Sequence, residues 1–263
     1  MLRRAISVML FLTMMIAVNS CAEFSIRGYD QHAGYQYVSL GSFPQEADGT
    51  EKPILWRVLS VEENQAYLLS EYVLFNSQVH HDDEAYVGFE GVFNQTDMFL
   101  LLNGPFEGKP VSPEKEQELR LNDQFGYAHM AELCFKDQAF TALEQDMLVQ
   151  DDDLGMVFMA EAEDLKNKDY GFVSLKQRRA VGTEYALANG LFQYKNGTSP
   201  YWTRSQSTTR TDAVRCTKID GDLGYIRCVV MNEGCRPAVR LKIEGLKPVG
   251  GSGTMEDPYT FIR

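Results

Sequence analysis

The stretch "PILWRVLSVEENQAYLLSEYVL", residues 53–74, decides the fold. Ile54, Trp56 and Val58 alternate with their neighbours, the polar "EENQ" follows, and Tyr67 and Leu69 resume the alternation. That pattern predicts an antiparallel hairpin with one buried face. Upstream, "YVSLGSFPQ" (37–45) reads as a further strand, ended by a turn at Asp48-Gly49. Downstream the text changes in kind. "TDMFLLLNGPF" (96–106) and "CFKDQAFTALEQDMLVQ" (134–150) are helix-like, and Thr141 with Glu144 has the spacing of a capping box. The charged, poorly patterned residues near 107–133 between them read as a surface insertion. "GMVFMA" (155–160) is a short buried strand, "EAEDLKN" (161–167) and "TEYALANGL" (183–191) are helical, and "SPYWTRS", "AVRCTKI", "YIRCVVM" and "CRPAVRLKI" close the chain as strands. Strands, helices and strands again within one unit predict a single α+β domain over residues 36–245, with a mainly antiparallel mixed sheet and a few short helices. Residues 22–35 read as a polar linker. The end, "GGSGTMEDPYTFIR" (250–263), has no Lys-Ser/Thr and no following helix, so residues 246–263 read as a glycine-rich turn and a short strand, with no phosphate loop.

Residues 1–21 carry two arginines, an apolar run from Ala5 to Val18, and Val18-Asn19-Ser20-Cys21. The run is too short to span a bilayer, which takes about 20 residues, and its basic start and small-residue end predict a signal peptide. The last four residues resemble a bacterial lipobox, with Cys21 as the lipidated N-terminus. Ordinary cleavage and secretion is the alternative. Lipidation would place the domain on the outer face of a bacterial membrane, held through Cys21 alone. Removing residues 1–21 takes two of the 25 basic residues and none of the 37 acidic ones, leaving 23 − 37 = −14. Such a chain repels phosphate backbones, so no nucleic-acid partner is expected.

Four further cysteines follow: Cys134, Cys216, Cys228 and Cys235. An even number in an exported chain predicts disulfides. Cys216 and Cys228 lie symmetrically about Asp222, which suggests a cross-strand pair and leaves Cys134 for Cys235. In "NEGCRPAVRL" (232–241) the arginine beside Cys235 raises a second reading, a thiol activated by the adjacent cation.

No Gly-x-Ser-x-Gly, His-Glu-x-x-His or Gly-x-Gly-x-x-Gly occurs, so neither a catalytic residue nor a cofactor is indicated. "VHHDDEAY" (79–86) holds metal-ligand residue types. Neighbours along a strand point to opposite faces, however, so His80, His81, Asp82, Asp83 and Glu84 read as a solvated loop with no metal. Asp151 to Asp153 lack the ligand alternation of a calcium loop and read as a charged turn. The best-patterned candidates for ligand binding are Trp202, Arg204 and Ser205 in "YWTRSQ" with Arg236 and Arg240 in the last strand. An aromatic plane beside an arginine can stack on and hydrogen-bond a sugar or a carboxylated ligand. The competing reading puts Trp202 in the core and makes the arginines ties between strands, as for Trp56 and Arg57.

The segments "PILWRVLSVEENQAYLLSEYVL", "TDMFLLLNGPF", "AFTALEQDML", "GMVFMAEAED", "YWTRS" and "GCRPAVRLKI" together resemble, in order, the bacterial "domain of unknown function six-two-seven-three". Its features are a W-x-V-L strand, an L-N-x-x-F helix start, an A-F-x-x-x-E helix, a Y-W-x-R-S strand and a G-V-R-P-A terminal strand. Two departures stand out: Thr96-Asp97-Met98-Phe99 replaces the family's tryptophan and arginine ahead of L-N, and Cys235 replaces its valine. The resemblance implies a secreted or surface-anchored bacterial protein without established activity. A weaker similarity to C-type-lectin-like domains of the formylglycine-generating type suggests an architecture. The expected function is a non-catalytic surface module that binds a glycan or a surface protein. The alternatives are an enzyme using cysteine chemistry and an envelope assembly factor.

Overall fold

A computed structural model describes residues 25–88, 90–104 and 134–262. The expected signal peptide, Cys21 and the 107–133 insertion lie outside the described residues.

The chain is α+β, with mainly antiparallel sheets and short helices. In order come β1 (Tyr37–Pro44), β2 (Glu51–Glu62), β3 (Gln65–Ser70), β4 (Phe75–Asn76), α1 (Asp83–Gly88), α2 (Asp97–Asn103) and β5 (Val157–Met159). After β6 (Ala180–Val181) and β7 (Thr198–Ser199) follow β8 (Tyr201–Gln206), β9 (Ala213–Thr217), β10 (Leu223–Arg227), β11 (Gly234–Cys235), β12 (Pro237–Lys242), β13 (Lys247–Gly250) and β14 (Thr260–Ile262). One five-stranded sheet has the order β1-β2-β3-β12-β5, and a second the order β10-β9-β8-β11-β4. All pairings in these two sheets are antiparallel except β8 with β11.

The β2–β3 hairpin turns on two residues, Glu63 and Asn64, both with positive φ (47° and 63°). Two such residues give the turn whose twist matches the flanking strands. Its strands differ from the expectation of one buried face: Trp56, Arg57, Val58 and Leu59 are all buried. On one side Trp56 stacks on Phe140 and donates from Nε1 to the Leu40 carbonyl (2.8 Å). On the other, Arg57 clasps Glu71. The core between the sheets is aromatic. Phe43 of β1, Phe75 of β4 and Phe135 meet with ring centroids 5.0–6.0 Å apart, and burying each contributes roughly 1.5–3 kcal/mol.

The capping box forms as expected. Thr141 accepts from the Glu144 amide while Glu144 accepts from the Thr141 amide, which starts the helix Ala142–Met147. The 22–35 linker needs correction over its described part: Ile26 is buried, and the Tyr29 amide donates to the Leu59 carbonyl (3.1 Å). Polar composition concealed a segment that lies along β2. The C-terminal hairpin β13–β14 is likewise docked. Tyr259 and Tyr37 are joined by a backbone bond beside β1, and the preceding loop turns through Gly251 and Gly253 (φ 88° and 78°).

The stretch 234–242 joins the sheets. β11 pairs within the second sheet, and after Arg236 the chain enters the first as β12, between β3 and β5. Gly234 permits the crossing, since a Cβ there would stand 2.1 Å from Val73 Cγ1.

Candidate functional site

Of the five sequence-indicated ligand residues, the structure brings only Arg204 and Arg240 to one surface. Trp202 is 1% exposed and donates from Nε1 to the Ser77 carbonyl (2.7 Å). Arg236, also 1% exposed, donates from Nε to the Ser70 carbonyl (2.7 Å) and lies over the Tyr201 ring. Burial pulls its pKa down. Ser205 spends its hydroxyl on the Ala162 amide (3.0 Å). Trp202 in the core and Arg236 as a tie at the crossing between β11 and β12 follow the competing reading, and Ser205 is taken up by neighbouring backbone. Arg204 differs. The β8–β9 register is irregular between Trp202 and Gln206, and such a bulge re-aims a side chain.

Arg204 faces a groove of about 320 Å³ together with Arg240 of β12. Tyr67 and Phe158, stacked with centroids 5.8 Å apart, line it beside Tyr170, set edge-on to Tyr67. Arg240 lies over Phe158 at 5.3 Å and reaches Asp151 at 3.6 Å. Arg204 pairs with Glu161. Asp164, also on the lining, accepts from Tyr67 Oη (2.8 Å) and from the Glu161 amide (2.9 Å). Glu62 and Glu63 stand on the lining as well, so its three acids outnumber its two arginines. The two guanidinium groups among aromatic rings can still hold a carboxylate and pack a sugar ring, and Asp164 is engaged by two donors.

The cysteines correct a second expectation: all four are free thiols. Cys216 stands opposite Gly224 in the β9–β10 ladder, and Cys228 falls beyond the end of β10. There its carbonyl accepts the Val79 and His80 amides, and its thiol donates to Asp83 Oδ1 (3.2 Å). The symmetry about Asp222 fails because the turn is not centred on that residue. Cys235 is separated from Cys216 by β8, about 9–10 Å at two strand spacings, too far for a disulfide. Cys134 donates to Asp137 at the start of the helix Phe135–Ala139. Burial pushes the Cys134, Cys216 and Cys228 thiols up to about 12 and raises Cys235 further above its ordinary value, which works against thiolate chemistry. Accordingly, the native chain at pH 8 should resist alkylation at these positions, and denaturation without reductant should release four titratable thiols from them. A titre of zero would restore the disulfides.

The third correction concerns His80 and His81. They lie beyond the end of β4 at Asn76, so strand alternation does not apply. His80 is 2% exposed, and its Nδ1 is 3.2 Å from Asp97 Oδ1. His81 Nδ1 is 2.6 Å from Asp97 Oδ2, which also accepts the His81 amide (2.8 Å). Asp97 itself is 0% exposed. It opens α2 immediately after the cap Thr96 and is held beside the histidines by the Met98 amide on the Val79 carbonyl (3.0 Å). Asp82 instead caps the start of α1, accepting from the Glu84 and Ala85 amides. Asp151 accepts the Asp153 and Leu154 amides, as expected of a charged turn.

No family model matches the chain, and no curated protein or solved structure matches it either. Among the described residues no helix is long and apolar enough to cross a membrane.

Proposed function

We propose that this chain is a non-catalytic binding module on the outer face of a bacterial cell envelope, anchored through Cys21, and that the groove at Arg204 and Arg240 receives an acidic glycan. The pair of arginines among Tyr67, Phe158 and Tyr170 carries this reading. Arg240 is held in place by Phe158 and Asp151, so little side-chain freedom is lost when it meets a ligand carboxylate. The lipobox, the order of family-like segments and the acidic composition support surface display. Cysteine chemistry gains no support from thiols held protonated by burial.

The test is calorimetric titration of the chain with oligosaccharides that contain or lack uronic acid. Binding should favour the uronic-acid members, and Arg240→Ala should weaken it by about tenfold or more, since a charge-assisted hydrogen bond is worth roughly 1.5–3 kcal/mol. Equal affinity for the variant, or turnover abolished by changing one acid, would sink the reading.

A further inference from the structure

We propose that His80, His81 and Asp97 form a site for one divalent first-row transition ion, with zinc the first choice. Two imidazole Nδ1 atoms face the two oxygens of a single carboxylate, and one donor atom from each residue lies within 4.8 Å of the others; His80 Nδ1 also accepts the Asp97 amide at 3.3 Å, a long bond that the ion would replace. The placement is built into the fold. The His80 amide is fixed on the Cys228 carbonyl (3.2 Å), the His81 amide on Asp97 Oδ2 (2.8 Å), and the start of α2 on the Val79 carbonyl (3.0 Å). Three backbone bonds therefore tie the two histidines and the aspartate together before any ion arrives.

The donor set selects the ion. Two neutral imidazoles and one carboxylate carry a single negative charge and suit zinc, which bonds His nitrogen and carboxylate oxygen at about 2.0–2.2 Å. Magnesium and calcium prefer all-oxygen shells and fit poorly. Ferrous iron accepts the same two-His, one-carboxylate set and is the nearest competitor. Around an ion with bonds of that length, ligand atoms sit about 3–4 Å apart, so the 3.2 Å between His80 Nδ1 and Asp97 Oδ1 is already suitable. His81 Nδ1, at 2.6 Å from Oδ2, is at hydrogen-bond distance. There the ion takes the place of a proton on Nδ1, and His81 ligates as a neutral ring that carries its single proton on Nε2. Three protein ligands leave a coordination position for water or a ligand atom. The site lies beyond β4 of the second sheet and is distinct from the arginine groove, so it neither requires the glycan reading nor shares its test.

Chelator-treated full chain, titrated with cobalt(II) and then zinc(II), should bind one equivalent. Cobalt should give a visible d–d band that zinc bleaches. His81→Ala should lose the band and weaken zinc binding at least tenfold, with the far-ultraviolet circular dichroism and metal-free melting of the parent retained. His32→Ala, an exposed residue outside the cluster, should bind as the parent does. A measurement on the parent alone guards against a variant that fails to fold: in long-range proton–nitrogen spectra, zinc should shift the Nδ1 resonances of His80 and His81 and leave those of His32 unmoved. Absence of binding at one equivalent, unchanged binding by a folded His81→Ala, or unmoved His80 and His81 resonances would each overturn the site.

Discussion

Arg57→Ala should lower the stability of the fold by about 3–5 kcal/mol, the usual consequence of stripping one partner from a buried ion pair. Arg57 of β2 meets Glu71 through two parallel bonds, Nε to Oε2 at 2.7 Å and Nη2 to Oε1 at 2.6 Å. Its guanidinium also lies 4.6 Å from the Tyr35 ring centre. The pair is almost closed to solvent, with side-chain exposures of 8% and 14%. The variant would leave the Glu71 carboxylate there without its bidentate partner, and truncation would also empty the space against Tyr35. At roughly 2–4 °C per kcal/mol for a domain of this size, the melting temperature should fall by about 10 °C. The double change Arg57→Met with Glu71→Met should recover most of the loss, because replacing both charges leaves neither stranded. Thermal and urea unfolding of the parent and both variants checks this. A loss under about 1 kcal/mol for Arg57→Ala would mean that the pair behaves like an exposed one.

Glu233→Gln should act in the opposite direction, stabilising the chain at alkaline pH and leaving it unchanged in acid. Glu233 is 8% exposed, its Oε2 finds no hydrogen-bond partner, and burial raises its pKa from the ordinary 4.5 to about 7. Well below pH 4.5 the carboxyl is protonated in both folded and unfolded chains and costs nothing. Between 4.5 and about 7 the unfolded chain gives up the proton while the folded chain keeps it, so stability falls as pH rises. Above about 7 the whole penalty is present, roughly 3 kcal/mol at about 1.4 kcal/mol per pH unit. The amide introduced by the substitution cannot ionise, so the difference between variant and parent should grow from near zero at about pH 4 to roughly 3 kcal/mol at about pH 8. Urea unfolding at the two pH values measures it, and a difference independent of pH would show that Glu233 is ionised in the fold or solvated.

What could be read from the chain was what a few consecutive residues decide. The β2–β3 turn and the Thr141–Glu144 box close within a handful of residues, and both form where the pattern put them. Burial of both faces of β2 was not legible, because a tie through Arg57 needs an acid beside it and the pattern does not place Glu71 there. The cysteine register failed on the placement of a turn that spacing alone does not fix. The histidines were dismissed on alternation that presumes a strand, whereas β4 ends at Asn76. Their third member sits 16 residues away at the head of a helix. Asp97 directly after Thr96 carries no signal of its own in the sequence, because its meaning depends on the packing of α2 against residues 79–81. Likewise, Arg204 and Arg240 come from different sheets, and only their juxtaposition defines the groove.

The stretch 234–242 has a consequence for the order of events during synthesis. β12 is an interior strand of the first sheet, flanked by β3 and β5, yet it follows both of them in sequence. β11, just before it, closes the gap between β8 and β4 in the second sheet. Until both have emerged, β3 and β5 have no common neighbour and β4 stands apart from β8. Neither sheet is complete before residues 234–242 are made, and two of the pairings that complete them span more than 150 residues, Ala238 with Leu69 and Gly234 with Asn76. Contacts of such separation close slowly. Both sheets therefore wait on the same nine residues, 234–242, whose arrival lets the two close together.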